Sequence, residues 1–321
     1  MCIRDRSKKV LFVVGDLKNN PFGGNERHSL RYLDYLNNYG ITDITLFEFK
    51  DYFKSSFNFS GFLNNYINGV HLFIYSLFFD VIFCNQPHYA SLPIFLSSKK
   101  KIIIRCGVDN PINGILFSKF KFRYLKKVYW ITPRPYNLEY MVRKLLIPNL
   151  VTSINLNVVN EQNKSIICIG NFTQGYKGAE TIKYLSKRGI DISVLGSWPY
   201  NNDNCIKIFG NKDFQSMSST HGIFLLTSHS EGVSNALLET MLFGYIPVVR
   251  DISANNFIIK HGINGFVFSS DDECLNLIKE ILGSKETYTE LRNNARSTAL
   301  KYLDYGNFSS LVKFLKYGSE W

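Results

Sequence analysis

Residues 231–249 read EGVSNALLETMLFGYIPVV. A loop acid, Glu231, and Gly232 lead into a short helix that Gly244 ends, and Pro247 then opens an apolar strand. Ser234 or Asn235 is a good N-cap, so the helix is predicted to start there. Its side chains Ala236, Leu237, Leu238, Met241, Leu242 and Phe243 are apolar almost all round. Such a helix is expected to be buried. Glu239 sits in its middle, and a buried carboxylate costs on the order of several kcal/mol unless it is paired. Nothing nearby in sequence offers that partner, so a ligand is the economical one. Gly232 removes a side chain where a ligand can approach closely. The amides of residues 234–237 at the helix start suit an anion such as phosphate. Two acids for hydroxyls and a positive helix end for phosphate describe a site for a sugar nucleotide.

Glu231 and Glu239, with seven residues between them and in this context, resemble the donor-site motif of the family 4 retaining glycosyltransferases (glycosyl transferases group 1). Three further stretches are similar to that family: GGNER at 23–27 after the strand VLFVV, YKG at 176–178, and HGINGFVF at 261–268. The resemblance is close in the C-terminal half and weak in the N-terminal half beyond its first forty residues. It implies an α/β chain of GT-B type, two doubly wound Rossmann-like domains facing a central cleft. It also implies roles. Glu239 holds the ribose diol of the donor and Glu231 meets hydroxyls of the transferred sugar. Lys177 neutralises the diphosphate, and Glu231 and Lys177 are the catalytic pair. Gly23 and Gly24 offer backbone amides, and Gly232, Val233, Ser234, Asn235 and Leu237 complete the donor loop and helix start. In the retaining reaction so implied, a donor diphosphate oxygen takes the acceptor proton. No dedicated base, cofactor or metal is then expected.

The chain departs from the family pattern at three places. Asn171 stands where an arginine usually follows the strand glycine, so that position can donate a hydrogen bond without bringing charge; Arg105 and Arg250 are other basic candidates. Cys106 and Asn85 stand where histidines are common, and His88, three residues on, is the acceptor-side candidate.

A length of 321 residues suggests two domains, taken as 7–150 on the acceptor side and 151–321 on the donor side. The last helix, 308–317, is expected to pack back on the first domain, as the resemblance implies. The leading MCIRDR reads as a cloning or assembly scar, and no signal peptide is expected. Six cysteines are scattered without CxxC or other metal or disulfide spacing, which fits reduced thiols in the cytoplasm. The apolar run VHLFIYSLFFDVIF is interrupted by Asp80 and falls short of the ~20 residues that span a bilayer.

The net charge of +11 concentrates at Lys99–Lys101 and in KFKFRYLKK at 119–127. Interleaved rings and cations suit an anionic membrane interface and a lipid-linked acceptor. They also suit bases, but no RNP1 or helix-turn-helix pattern accompanies them.

Apolar runs alternating with amphipathic stretches predict parallel α/β layers. Strands are expected at 10–14, 44–49, 81–84, 102–105, 128–132, 166–170, 192–195, 224–227, 247–250 and 266–268, and a helix over 138–145. The function so read is transfer of a hexose from a UDP- or GDP-sugar to a saccharide or lipid-linked acceptor in bacterial envelope polysaccharide synthesis. The location is cytoplasmic, peripheral on the inner face of the cytoplasmic membrane. The rivals are a non-catalytic nucleotide-sugar-binding protein of the same fold, a basic nucleic-acid-binding protein, and a sugar-nucleotide epimerase.

Overall fold

A computed structural model of the chain describes residues 8–15, 17, 24–48, 59–106, 122–136, 138–147, 162–200, 205–210, 214, 221–302 and 306–317. The chain divides into two compact units, Met1–Leu150 with Asp304–Trp321, and Val151–Leu303.

Unit 1 contains β1 (Val10–Val14), α1 (Gly24–Asn38), β2 (Ile44–Glu48), α2 (Phe59–Ser76), β3 (Val81–Cys84), β4 (Lys101–Arg105), α3 (Phe122–Leu125), β5 (Tyr129–Thr132), β6 (Arg143–Leu146) and the C-terminal helix α9 (Gly306–Tyr317). Its sheet is parallel in the order β2-β1-β3-β4-β5-β6. Strands such as VLFVV and VIFC are buried at every position, as parallel strands covered on both faces must be. Alternate residues feed two cores. Phe12, Phe83, Ile103 and Ile131 pack with Tyr32 and Leu36 of α1 and with Phe308, Leu311 and Phe314 of α9. Leu11, Ile82, Ile104 and Trp130 pack on the opposite side with Leu72 of α2.

Unit 2 contains β7 (Ile166–Asn171), α4 (Ala179–Ser186), β8 (Ile192–Ser197), β9 (Ile206–Gly210), β10 (Ile223–Leu226), α5 (Asn235–Leu242), β11 (Ile246–Arg250), α6 (Ser253–Ile258), β12 (Phe266–Phe268), α7 (Asp271–Gly283) and α8 (Thr289–Tyr302). Its parallel sheet has the order β12-β11-β10-β7-β8-β9. Ile182 and Leu185 of α4 and Cys274 and Ile278 of α7 cover one face. Leu237, Leu238 and Met241 of α5 and Ala295 and Ala299 of α8 cover the other.

In each sheet the chain starts centrally, runs to one edge, then returns to run to the other. The strand order therefore reverses between β1 and β3 in unit 1, and between β7 and β10 in unit 2. In doubly wound sheets ligands bind outside the carboxyl ends of the strands at such switch points.

Three expectations need correction. The helix expected over 138–145 is the strand β6, an edge strand paired with β5. Leu138, Met141 and Leu145 have helical spacing, but Tyr140 and Met141 are buried ahead of the strand. Arg143 then lies over the Tyr129 ring, its guanidinium carbon 5.1 Å from the centroid. β9 and α6 were not anticipated; both are short, and β9 is an edge strand whose middle faces solvent. Finally, Glu239 is half-exposed. Ala236 and Asn235 are half-exposed with it, so α5 keeps one open face. Glu239 is thus half-buried and not enclosed, and burial alone does not demand a ligand for it.

Candidate nucleotide-sugar site

The unit 2 switch point is assembled from the loops that leave β7 and β10. Asn171 ends β7, and its Oδ1 accepts from Thr173 N (3.2 Å) and Thr173 Oγ1 (2.6 Å), which turns the chain. A single 3₁₀ turn, Gly175–Lys177, follows, and then Gly178 at φ +71°. A Cβ on Gly178 would lie 2.3 Å from the Thr227 carbonyl oxygen. Glycine is therefore required twice, by backbone angle and by close approach. The two loops are stitched together there. Thr227 Oγ1 donates to the Lys177 carbonyl (2.8 Å), and the His229 amide donates to the Tyr176 carbonyl (2.8 Å). Arg250 braces the base of the loops, with Nε on the Thr227 carbonyl (2.9 Å) and Nη2 on Thr181 Oγ1 (2.5 Å) and Asp271 Oδ1 (2.9 Å).

Lys177 Nζ meets Glu231 Oε1 at 2.6 Å. The two side chains come from loops 54 positions apart, with side-chain exposures of 19% and 12%. Gly232 and Val233 carry the chain from Glu231 to the N-cap of α5. Ser234 Oγ accepts from the Leu237 amide (3.3 Å). The Leu237 side chain is buried in the core beneath this turn. Asn235 Oδ1 is buried and has no hydrogen-bond partner among the described residues, an acceptor in want of a donor. Glu239 lies one turn further along α5, on its open face.

The structure thus brings Asn171, Lys177, Glu231, Gly232, Val233, Ser234, Asn235, Leu237 and Glu239 to the strand ends of one unit. Gly23 lies outside the described residues, and Gly24 opens α1 in unit 1. His88 stands in a 3₁₀ turn after β3, its ring 4.1 Å from that of Tyr89. Arg250 is committed to its brace, and Arg105 ends β4 in unit 1. Sequence reading missed Thr227 and named Arg250 as a basic candidate without its bracing role; the only signal for either is a polar residue at a strand end.

Unit 1 has a buried polar cluster at its own switch point. Asn85 Nδ2 donates to Ser29 Oγ (2.5 Å). The His28 ring lies 4.9 Å from that of Tyr32, and neither His28 nitrogen has a hydrogen-bond partner among the described residues. Burial, then the charges of Arg105 and Arg31, hold the His28 pKa well below its usual value. Burial pushes the Tyr32 phenol up to about 12.

Two doubly wound parallel sheets of this topology define the GT-B glycosyltransferase fold. HepE from Anabaena, solved with UDP and glucose, superposes with a TM-score of 0.70 at 15% identity, covering 97% of this chain and 100% of that one. Within that fold, residues 199–298 match the family model Glycosyl transferases group 1, so unit 2 carries a glycosyl transferases group 1 domain. Glycosyltransferase 1 domain-containing protein 1 of Xenopus tropicalis is 33% identical over 99 residues, 31% of this chain and 28% of that protein. The GDP-Man:Man(3)GlcNAc(2)-PP-Dol alpha-1,2-mannosyltransferase of Dictyostelium discoideum is 33% identical over 92 residues, 28% of this chain and 18% of that protein. The chain thus matches less than a third of the length of these curated relatives.

Proposed function

We propose that the protein is a retaining glycosyltransferase that moves a hexose from a UDP- or GDP-sugar to a saccharide or lipid-linked acceptor. The observation that carries this reading is the 2.6 Å meeting of Lys177 and Glu231 beside the start of α5. A cation and an acid stand together where a diphosphate and its sugar would join. Lys177 stabilises the charge that grows on the departing diphosphate, together with amides at the helix start. Glu231 accepts from hydroxyls of the transferred sugar, and Glu239 accepts from the ribose diol. Gly23 and Gly24 belong to the donor reading, and His88 to the acceptor side. Bacterial envelope polysaccharide synthesis at the inner face of the cytoplasmic membrane is the setting this chemistry suits. The relatives above, one crystallised with UDP and one named for a GDP-sugar, support both donor classes.

The test separates the two acids. Glu239→Gln is expected to weaken free UDP or GDP about tenfold or more, because a charged hydrogen bond is worth roughly 1.5–3 kcal/mol. Glu231→Gln is expected to slow turnover while free-nucleotide affinity holds or rises, since it releases Lys177 from its ion pair. Titration calorimetry and product formation read both. The reversed pattern reverses the assignment, and no change in either folded variant ends the glycosyltransferase reading. Activity is expected to survive EDTA; a strict need for Mn²⁺ or Mg²⁺ would contradict the role given to Lys177.

One observation favours a non-catalytic nucleotide-sugar-binding protein. Asn171 brings no charge and spends its oxygen on a turn. Slow hydrolysis of the donor sugar in the absence of acceptor separates the two readings.

A further inference from the structure

Unit 1 exposes a run of large apolar side chains where α2 ends. Phe78 is 72% exposed, Ile74 51%, Leu77 48% and Phe95, in the 3₁₀ segment Pro93–Ser98, 43%. Single exposed apolar residues are ordinary, whereas a contiguous set marks an interaction surface. Hydrogen bonds and ring contacts tie the neighbouring segments together. Lys100 Nζ donates to the Leu77 carbonyl (2.6 Å) and the Phe79 carbonyl (2.5 Å), which fixes the knuckle after α2. The Phe95 ring meets that of Tyr124 in α3 at 5.2 Å, and the Arg123 guanidinium stacks on Tyr124 at 4.7 Å. Lys127 Nζ donates to Ser98 Oγ (3.0 Å). Lys99, Arg123, Lys126 and Lys127 are exposed around these rings.

The charge of this region is one-sided. Among the described side chains from 67 to 136, the exposed cations are Lys99, Arg123, Lys126 and Lys127, and the one acid is Asp80. Asp80 is engaged by the Lys9 amide (3.0 Å).

We infer that this face is a docking surface for an anionic lipid bilayer. Leu77 and Phe78 would enter the headgroup boundary, and Lys99, Arg123, Lys126 and Lys127 would meet phosphate groups. The choice of a lipid surface over a protein follows from composition. Protein interfaces are depleted in lysine, whereas aromatic tips ringed by lysine and arginine are what a headgroup region accommodates. No helix among the described residues is long and apolar enough to cross a membrane, so the contact is superficial. The surface shares Arg123, Lys126 and Lys127 with the 119–127 run picked out in the sequence and adds Lys99 and the end of α2. It is centred on the end of α2, and residues 119–121 lie outside the described residues. Its purpose, bringing unit 1 to a lipid-linked acceptor, rests on the glycosyl-transfer reading, whereas the binding itself does not.

The experiment is sedimentation of the full chain with vesicles of phosphatidylcholine alone and of phosphatidylcholine with 30% phosphatidylglycerol. Binding to the anionic vesicles, weakened by salt, is expected. Each basic residue near such a surface is worth roughly fivefold in partitioning, so Lys99→Gln/Lys126→Gln/Lys127→Gln should lose about a hundredfold. Leu77→Ser/Phe78→Ser should lose about tenfold or more, and circular dichroism should show both variants folded, since all five side chains are exposed. Equal binding by wild type and the serine variant would overturn the proposal, as would equal binding to neutral and anionic vesicles, or no binding at all. Dimerisation in light scattering that the serine variant abolishes would reassign the face to a second copy of the chain. A thermal shift with UDP and GDP, run on the same samples, reports the donor site separately.

Discussion

The two units share a topology and divide the molecule's chemistry unequally. Unit 2 has 14 Lys and Arg and 14 Asp and Glu, whereas unit 1 has 23 and 12, so the whole formal charge of +11 sits on unit 1. Unit 2 holds its candidate site in a motif, with loops stitched at the switch point and a cation paired to an acid. Unit 1 holds its distinguishing features in a surface and in a buried polar cluster that no motif announces. A parallel sheet dictates neither. It supplies a switch point, and what stands there is decided by a few strand-end residues.

The sharpest way to break this comparison is to remove the part that holds unit 2's strands in place. Arg292 of α8 is buried and donates to four carbonyls: Gly222 (3.1 Å), Gly244 (2.7 Å), Asn163 (3.1 Å) and Thr287 (2.9 Å). It thereby fixes the starts of β10 and β11 from below the site. Arg292→Met keeps the length and leaves those oxygens without their donor, at a cost of about 3–5 kcal/mol. Hydrogen exchange read by peptide should rise steeply in β10 and β11 and hold in β1 and β3. Equal loss in both units would mean that they do not unfold separately.

A smaller effect is expected from Gly178→Ala, which acts on the site itself. The methyl group would be forced against the Thr227 carbonyl, and alanine would be held at φ +71°. Together these cost about 2–4 kcal/mol. The loop is expected to shift instead, separating Lys177 from Glu231. Nucleotide affinity should then fall more than global stability does. An unchanged UDP or GDP titration would show that the stitched loop is scaffolding only.

Legibility differed between the units for physical reasons. Strands buried on both faces are continuous apolar runs, and those at 10–14 and 81–84 were readable to the residue. Edge strands are half-wet and short, so β6 read as helix and β9 went unseen. At the donor site, Ser234, Gly178 and Gly244 were legible because caps and left-handed turns restrict residue choice. The expected burial of Glu239 was misjudged, because periodicity cannot tell which side of an eight-residue helix a neighbour leaves open. Arg250 and Arg292 were illegible as braces, since their partners are carbonyls, which carry no residue identity.

The last and mildest test turns to unit 1 and its buried histidine. His28 is fully enclosed, with Tyr32, Arg105 and Arg31 as its titratable neighbours, and its folded pKa lies well below the unfolded value of about 6.5. The sign follows from proton counting. Above pH 6.5 both states carry a neutral ring and the histidine contributes no pH dependence. Below pH 6.5 the unfolded chain takes a proton that the folded chain refuses, so stability falls as pH falls, by at most about 1.4 kcal/mol per pH unit. The loss continues until the folded pKa is reached. Denaturation followed between pH 7 and 5.5 should show this slope for unit 1, and His28→Gln should flatten it while leaving unit 2 unchanged. The difference between wild type and variant isolates the ring. A slope that survives His28→Gln would place the acid sensitivity elsewhere. It would leave the ring as packing against Tyr32 one turn along α1, with unit 1 distinguished from unit 2 by its surface alone.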